Sequence, residues 1–468
     1  MRNFFVFALL GFVLLSFYMV NDVNADSKQN PVVLDSEFQI EEFVSGLFVP
    51  VNMEFIGDDL LVLEKNTGTV RHIKNNTLLD SPVLDVEVSN YGEQGLLGIT
   101  SVENDVYLFF TEAYHDGGRA LENRVYKYSW NGNELVEPIL LKRIPGFERE
   151  YVGGELVSDL DGKVYAITGE NYKIGLLQNH LENESYRHFS SIASKDEKNR
   201  LTISDSFDYL LSCIKISFQH YTTNPFGWQS EQPDLSGNPL ELNLFNILGN
   251  LDSCIRQFTY ENFSNGHWKD TSTIIQIEPE GDYAAIGIRN SFGLAVDPQT
   301  GYLWDTENGP DVYDEINLVE NKFNSGWAKI QGPSNGRTLP QVPEYENYRY
   351  SEPEFSWELP VGVTAIEFPN SIDFKKYKDF LFVADSNNGI IYKFKLDDTR
   401  TKFVFQSPHL QDNILNISQN SDDGSLTESR DEIVFAKNFG LISDMKFGPD
   451  GALYVISLME GKIYKISS

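Results

Sequence analysis

Apolar and polar side chains alternate at period two through most of this chain, in short runs cut by Gly, Asp and Asn turns. That pattern predicts β-strands with their side chains divided between two faces. Near the start, Asn52-Met53-Glu54-Phe55 leads into Asp58-Asp59-Leu60-Leu61-Val62-Leu63-Glu64 and then Gly68-Thr69-Val70-Arg71-His72-Ile73. Near the end, Asp444-Met445-Lys446-Phe447 leads through Gly448-Pro449-Asp450-Gly451 to Ala452-Leu453-Tyr454-Val455 and Gly461-Lys462-Ile463-Tyr464-Lys465-Ile466. Both read as strand, tight turn, strand, glycine turn, strand. The unit recurs at Gly98 to Tyr128, Gly154 to Ile277, Phe292 to Val319 and Ala365 to Leu396. Such self-similarity marks a repeat architecture. Six four-stranded units predict an all-β, six-bladed propeller, closed so that few edges stay unpaired. Gln39 to Val44 reads as a strand with no local partner and is expected to complete the last blade.

Residues 175–262 break the alternation. They are rich in Asn, Ser, His and Phe and carry helical spacing at Phe207, Leu210, Leu211 and Ile214. Helices are expected near Ser206–Gln219 and Asn243–Phe258, in a mixed, partly helical insertion within blade three that acts as a lid or side module. Both cysteines of the chain, Cys213 and Cys254, fall there; in an oxidising compartment they are expected to pair and staple it.

The N-terminus changes the compartment. Arg2, the apolar run Phe4 to Val20 and the small side chains around Val23-Asn24-Ala25 read as a signal peptide over residues 1–25. Residues 26–468 then form the propeller, secreted or extracytoplasmic; an uncleaved signal would leave an N-terminal membrane anchor. Elsewhere no apolar run is long enough to span a bilayer. The chain has 468 residues, 41% hydrophobic, with a formal net charge of −32. Such acidity makes nucleic acid and anionic membranes poor partners. There is no P-loop, dinucleotide fingerprint, Gly-x-Ser-x-Gly elbow or Cys-x-x-Cys, and none of the seven histidines forms a metal-spaced pair.

Candidate chemistry concentrates in Gly287-Ile288-Arg289-Asn290-Ser291-Phe292-Gly293, Thr306-Glu307-Asn308-Gly309-Pro310 and Asp314-Glu315-Ile316-Asn317. A structural meander has no need of so much polar chemistry at its turns. With Gly92-Glu93-Gln94-Gly95-Leu96-Leu97-Gly98-Ile99 and Asn324-Ser325-Gly326-Trp327, these motifs resemble the glucose/sorbosone dehydrogenase family, over nearly the whole chain outside the insertion. The best-known members are soluble six-bladed propellers that oxidise sugars with pyrroloquinoline quinone (PQQ) and calcium. The resemblance implies that Arg289, Asn290 and Glu93 face the quinone. It also implies that the Gly309 and Pro310 carbonyls bind its calcium, and that Glu315, with Asp314, serves another. Oxygen ligands on a tight turn suit calcium.

The family's catalytic histidine opens a His-x-Gly-Gly turn, whereas this chain has Tyr151-Val152-Gly153-Gly154 after Glu150. Tyrosine, with a reference pKa near 10, is a poor base at neutral pH. The family's quinone-binding lysine and two arginines correspond to Asn387, Leu441 and Ser443. Two readings follow. In one, the chain is a divergent sugar or alcohol dehydrogenase in which Glu150 or Tyr151, with Arg289, does the catalytic work. In the other it is a non-catalytic module that binds a sugar-like small molecule or an extracellular protein. Structural roles compete at each position: a shaped turn at Gly309-Pro310, an inter-blade ion pair for Arg289, a packed aromatic for Tyr151.

Overall fold

In a computed structural model of the chain, residues 30–146, 149–170, 270–334, 347–416 and 430–468 are described here. Six antiparallel-based sheets follow one another. Their inner strands are Pro50–Ile56, Leu96–Val102, Gly153–Ser158, Gly293–Val296, Val363–Glu367 and Ile442–Phe447, and each packs against the next, the last against the first. This closed ring is a six-bladed β-propeller, as the alternation predicts.

The physical driver is visible in single strands. In Asp59–Glu64, Leu61 and Leu63 pack toward blade two, in a cluster with Leu96, Ile99, Val106 and Leu108. Leu60 and Val62 pack the other way, with Tyr454, Ile456 and Ile463 of blade six. A run apolar at every position is what a strand buried on both faces requires. The same holds around the ring: six apolar clusters fill the six spaces between neighbouring blades. The largest lies between blades four and five, where Trp304, Phe355 and Trp357 meet Tyr392 and Phe394.

Closure is made by the N-terminal strand Gln39–Ser45, which pairs antiparallel with Lys462–Ser467 at the edge of blade six. The sheets also exchange strands in a way that consecutive repeat units do not predict. Ile414–Leu415, which follows blade five's third strand, pairs parallel to Phe355–Trp357 of blade four. Phe323–Asn324 and Arg349–Tyr350, which follow blade four's third strand, extend the edge of blade three. Val32–Val33 covers the edge of blade five at Val434–Lys437. Long connections thus return to cap edges that would otherwise present unpaired backbone groups.

Residues 171–269 join the second and third strands of blade three, Val164–Thr168 and Thr273–Glu278. The expected helices, the Cys213–Cys254 pairing and the signal peptide all lie outside the described residues.

One buried ion pair bolts blade four to blade five. The Arg400 guanidinium grips Asp297 in two contacts, Nε to Oδ2 at 2.6 Å and Nη2 to Oδ1 at 2.9 Å. Both residues are shielded from solvent. Arg400→Met would strand a buried carboxylate. It is expected to lower unfolding stability by about 3–5 kcal/mol, read as an earlier midpoint in denaturant titration.

Candidate functional site

Strands alternate in direction within each blade, so two sets of loops gather on one face: those joining second to third strands, and those joining an outer strand to the next inner one. Backbone hydrogen bonds run from corner to corner around this face. Lys65 N–H donates to Val49 O (3.1 Å), Leu96 N–H to Lys65 O (3.0 Å), Glu93 N–H to Arg149 O (2.7 Å) and Gly169 N–H to Val152 O (3.2 Å). The circuit continues through Glu170 N–H to Arg289 O and Asn308 N–H to Asn290 O, each 2.7 Å, and Ser386 N–H to Gly362 O at 2.8 Å. It closes through Phe439 to Gly389, Leu458 to Leu441 and Leu47 to Gly461. The corners carrying Glu93, Tyr151, Arg289, Asn290 and Asn308 stand on this face, although they come from turns far apart in the chain. The segment 171–269 leaves and re-enters it at Glu170 and Asp270.

Arg289 stands at the corner between blades three and four. Its backbone N–H donates to Glu307 Oε1 (2.9 Å), its Nη1 to the Asn308 carbonyl (2.6 Å). The guanidinium lies over the Tyr151 ring at 4.5 Å and the Trp327 ring at 5.4 Å. Two aromatic rings thus lie within cation–π distance of the guanidinium, a favourable arrangement for a desolvated cation. Its Nε is buried without a hydrogen-bond partner. The neighbouring Asn290 is buried too, donating from Nδ2 to Glu93 Oε1 (3.2 Å) while its Oδ1 has no partner. Buried polar atoms without a partner call for one, and a hydroxyl group can serve as either donor or acceptor.

Glu93 links blades two, three and four: Oε1 takes the Asn290 amide and Oε2 the Val152 N–H at 3.0 Å. Burial pushes its carboxyl above the ordinary range, while those two donors pull it back. Tyr151 sits in the left-handed region at φ 61°, unusual for an aromatic residue. Gly153 and Gly154 follow at φ 66° and 105°. A Cβ at Gly98 would lie 2.0 Å from the Gly154 carbonyl oxygen, so the glycines let the inner strands of blades two and three approach. Burial raises the Tyr151 hydroxyl pKa further; Arg289 opposes this without reversing it. Glu150 is exposed beside it and lines a small cleft together with Tyr151, Glu170 and Thr271.

The Gly309-Pro310 corner is held by Asp314. Its Oδ1 accepts the Gly309 N–H (2.9 Å) and its Oδ2 the N–H groups of Val361 (2.8 Å) and Gly362 (2.7 Å). Asp314 thus ties the turn to the loop entering blade five. Glu315 Oε1 accepts the Gly332 N–H at 2.5 Å and the Gln331 amide at 3.3 Å. Its carboxyl is driven well up by burial and then by Glu307, its cross-strand partner. Neither the Gly309 nor the Pro310 carbonyl accepts a backbone hydrogen bond among the described residues. Also among the described residues, no three His, Cys, Asp or Glu side chains are grouped so as to hold a metal ion.

The sequence reading passed over three contributors. Glu307 anchors both the Arg289 N–H and the Ser325 hydroxyl (2.6 Å). Its position inside the Glu-Asn-Gly-Pro motif was the available signal. Glu170, which accepts the Trp327 indole N–H at 2.6 Å, had none, because it stands at the lip of the insertion. Lys65, whose Nζ donates to the Gly92 carbonyl at 2.7 Å, is pushed down to about 8 by burial.

A family model described as Glucose / Sorbosone dehydrogenase matches residues 47–186 and 278–465. The aldose sugar dehydrogenase YliI of Escherichia coli (strain K12) is 26% identical over 184 residues, 39% of this chain and 42% of that protein. The match therefore spans less than half the length of this curated relative. Among solved structures, a Thermus thermophilus protein described as a glucose dehydrogenase-type oxidoreductase superposes with TM-score 0.56 at 20% identity, over 92% of this chain and 99% of that one. The apo soluble aldose sugar dehydrogenase of Escherichia coli gives 0.53 at 18%, over 92% and 99%. The PQQ-bound aldose sugar dehydrogenase of Streptomyces coelicolor gives 0.53 at 16%, over 94% and 99%. At such identities the likeness to these structures is one of fold.

Asp314→Ala would leave three backbone donors without their charged acceptor. Unfolding stability is expected to drop by about 3 kcal/mol or more, and limited proteolysis should cut faster within residues 308–313. An unchanged digestion pattern would show that the corner holds its shape without Asp314.

Proposed function

This chain belongs to the glucose/sorbosone dehydrogenase family, and from that premise we propose a non-redox, extracytoplasmic propeller. In this reading it binds a small polyhydroxylated, sugar-like ligand on the loop face and uses calcium at the Gly309-Pro310 corner. The carrying observation is that Arg289 lies against Tyr151 and Trp327 while its Nε and the Asn290 Oδ1 are buried without hydrogen-bond partners.

PQQ carries three carboxylates, and the donor set does not suit it. Asn387 is exposed and neutral, Leu441 is apolar, and the Ser443 hydroxyl donates to the Pro50 carbonyl at 3.0 Å. Charge-assisted contacts contribute about 1.5–3 kcal/mol each, so three lost cations amount to several orders of magnitude in affinity. Arg289 does not replace them: it is one cation where three are lost, and its Nη1 is already committed to the Asn308 carbonyl. Tyr151 is also ill-suited to take a sugar hydroxyl proton, because burial raises its pKa. The two carbonyls of the Gly309-Pro310 turn would supply hard oxygen ligands to calcium, with ligand hydroxyls and waters needed for the rest of its shell.

The proposal is tested by titrating the chelator-stripped protein with calcium, a panel of aldoses and polyols, and PQQ. Thermal midpoints should rise with calcium and rise further with a hydroxylated ligand, and Arg289→Lys should abolish the second increment. PQQ with calcium should produce no saturable absorbance change. Dye reduction by any aldose in the presence of PQQ would establish the dehydrogenase reading instead. A midpoint indifferent to calcium would remove the calcium corner.

A further inference from the structure

The axial channel of the ring carries charges that the site does not use. Lys446, on the inner strand of blade six, places its Nζ 3.1 Å from Glu54 Oε2 on the inner strand of blade one. Asp444, on the same strand as Lys446, accepts the Met53 N–H (2.9 Å) and the Met445 N–H (2.7 Å). Glu155 of blade three is hydrogen-bonded by the Asn52 amide of blade one. Glu367 ends the inner strand of blade five. The inner strand of blade two contributes a hydroxyl, Ser101, which donates to Glu54 Oε1 at 2.8 Å. The inner strand of blade four, Gly293–Val296, has no ionisable side chain.

We propose that this network is a pH-sensitive clamp on the ring: carboxyl groups from blades one, three, five and six share the single ammonium of Lys446, and they hold the inner strands together most firmly when some of them are protonated. One ammonium cannot neutralise four ionised carboxylates, and the channel is too enclosed for solvent to screen the remainder fully. The side chain of Lys446 is only 25% exposed and that of Glu54 12%. Asn52, almost wholly buried, points its amide at Glu155 and leaves Oδ1 without a partner.

The titration sense agrees with this geometry. Burial, with Asp444 and Glu54 adding to it and Lys446 opposing it, pushes Glu367 up to about 7. Burial and then Asp444 raise Glu155 well above the usual carboxyl range, and burial also raises Asp444. A carboxyl whose pKa is higher folded than unfolded takes up protons on folding. Its stabilisation is therefore present at mildly acidic pH and lost as pH rises from the ordinary carboxylate range through about 7. The inner strands of blades two and three start at Leu96 and Gly153, next to the Glu93 and Val152 contact, so loosening the channel loosens the floor of the ligand face.

Thermal midpoints measured from about pH 5 to pH 8 test the clamp. The natural chain is expected to lose several degrees across that range, and Glu155→Gln with Glu367→Gln should remove a large part of the slope. The blade-four carboxyls Asp305 and Glu315, also raised by burial, are untouched in both proteins, so the difference between slopes reports the channel. Lys446→Met should steepen the loss above about pH 7 while costing less at about pH 5, and Lys446→Arg should restore the natural profile. A double variant with the natural slope, or a Lys446→Met protein equally affected at both pH values, would overturn the proposal.

Discussion

Everything in this molecule depends on one constraint: each blade is apolar on both faces, so no blade is stable without two neighbours. Leu60 and Val62 need blade six as much as Leu61 and Leu63 need blade two. A linear stack would leave two such faces in water. Closing the ring is the solution that buries all of them. It also requires that the ends of the chain meet, which Gln39–Ser45 and Lys462–Ser467 accomplish. The returning strands at Ile414–Leu415, Arg349–Tyr350 and Val32–Val33 answer the remaining problem, the exposed outer edges.

Ring closure also builds the loop face that carries the candidate site. Corners from six blades converge and are stitched by backbone hydrogen bonds, so side chains at those corners are positioned by the scaffold rather than by their own loops. Arg289 illustrates the consequence. Its neighbours Tyr151, Glu307 and Trp327 come from three different turns. A residue change at any of them alters the cation's surroundings without touching the blades. That separation is how a family fold persists while its chemistry drifts.

Electrostatics runs through the whole structure. A chain of net charge −32 buries many of its acids and manages them in different ways. Asp297 meets a guanidinium head-on, Asp314 collects backbone N–H groups, and Glu54 in the channel pairs with Lys446. Burial raises the proton affinity of Asp314, Glu155 and Glu367. The stability of the molecule is accordingly tied to pH through particular groups rather than through its overall charge.

Alternation at period two, glycine turns and fully apolar runs such as Leu60–Leu63 determined the blades, because strand formation and two-faced burial are written in neighbouring residues. The motifs around Arg289 and Gly309-Pro310 were equally legible, since a turn's chemistry is local. The sequence alone could not show that Tyr151 lies against Arg289, that Glu170 holds Trp327, or that Lys446 of blade six meets Glu54 of blade one. Nor could it show which blade receives Ile414–Leu415. Those juxtapositions join residues tens to hundreds of positions apart, and only closing the ring brings them within the few ångströms over which hydrogen bonds and unscreened charges act.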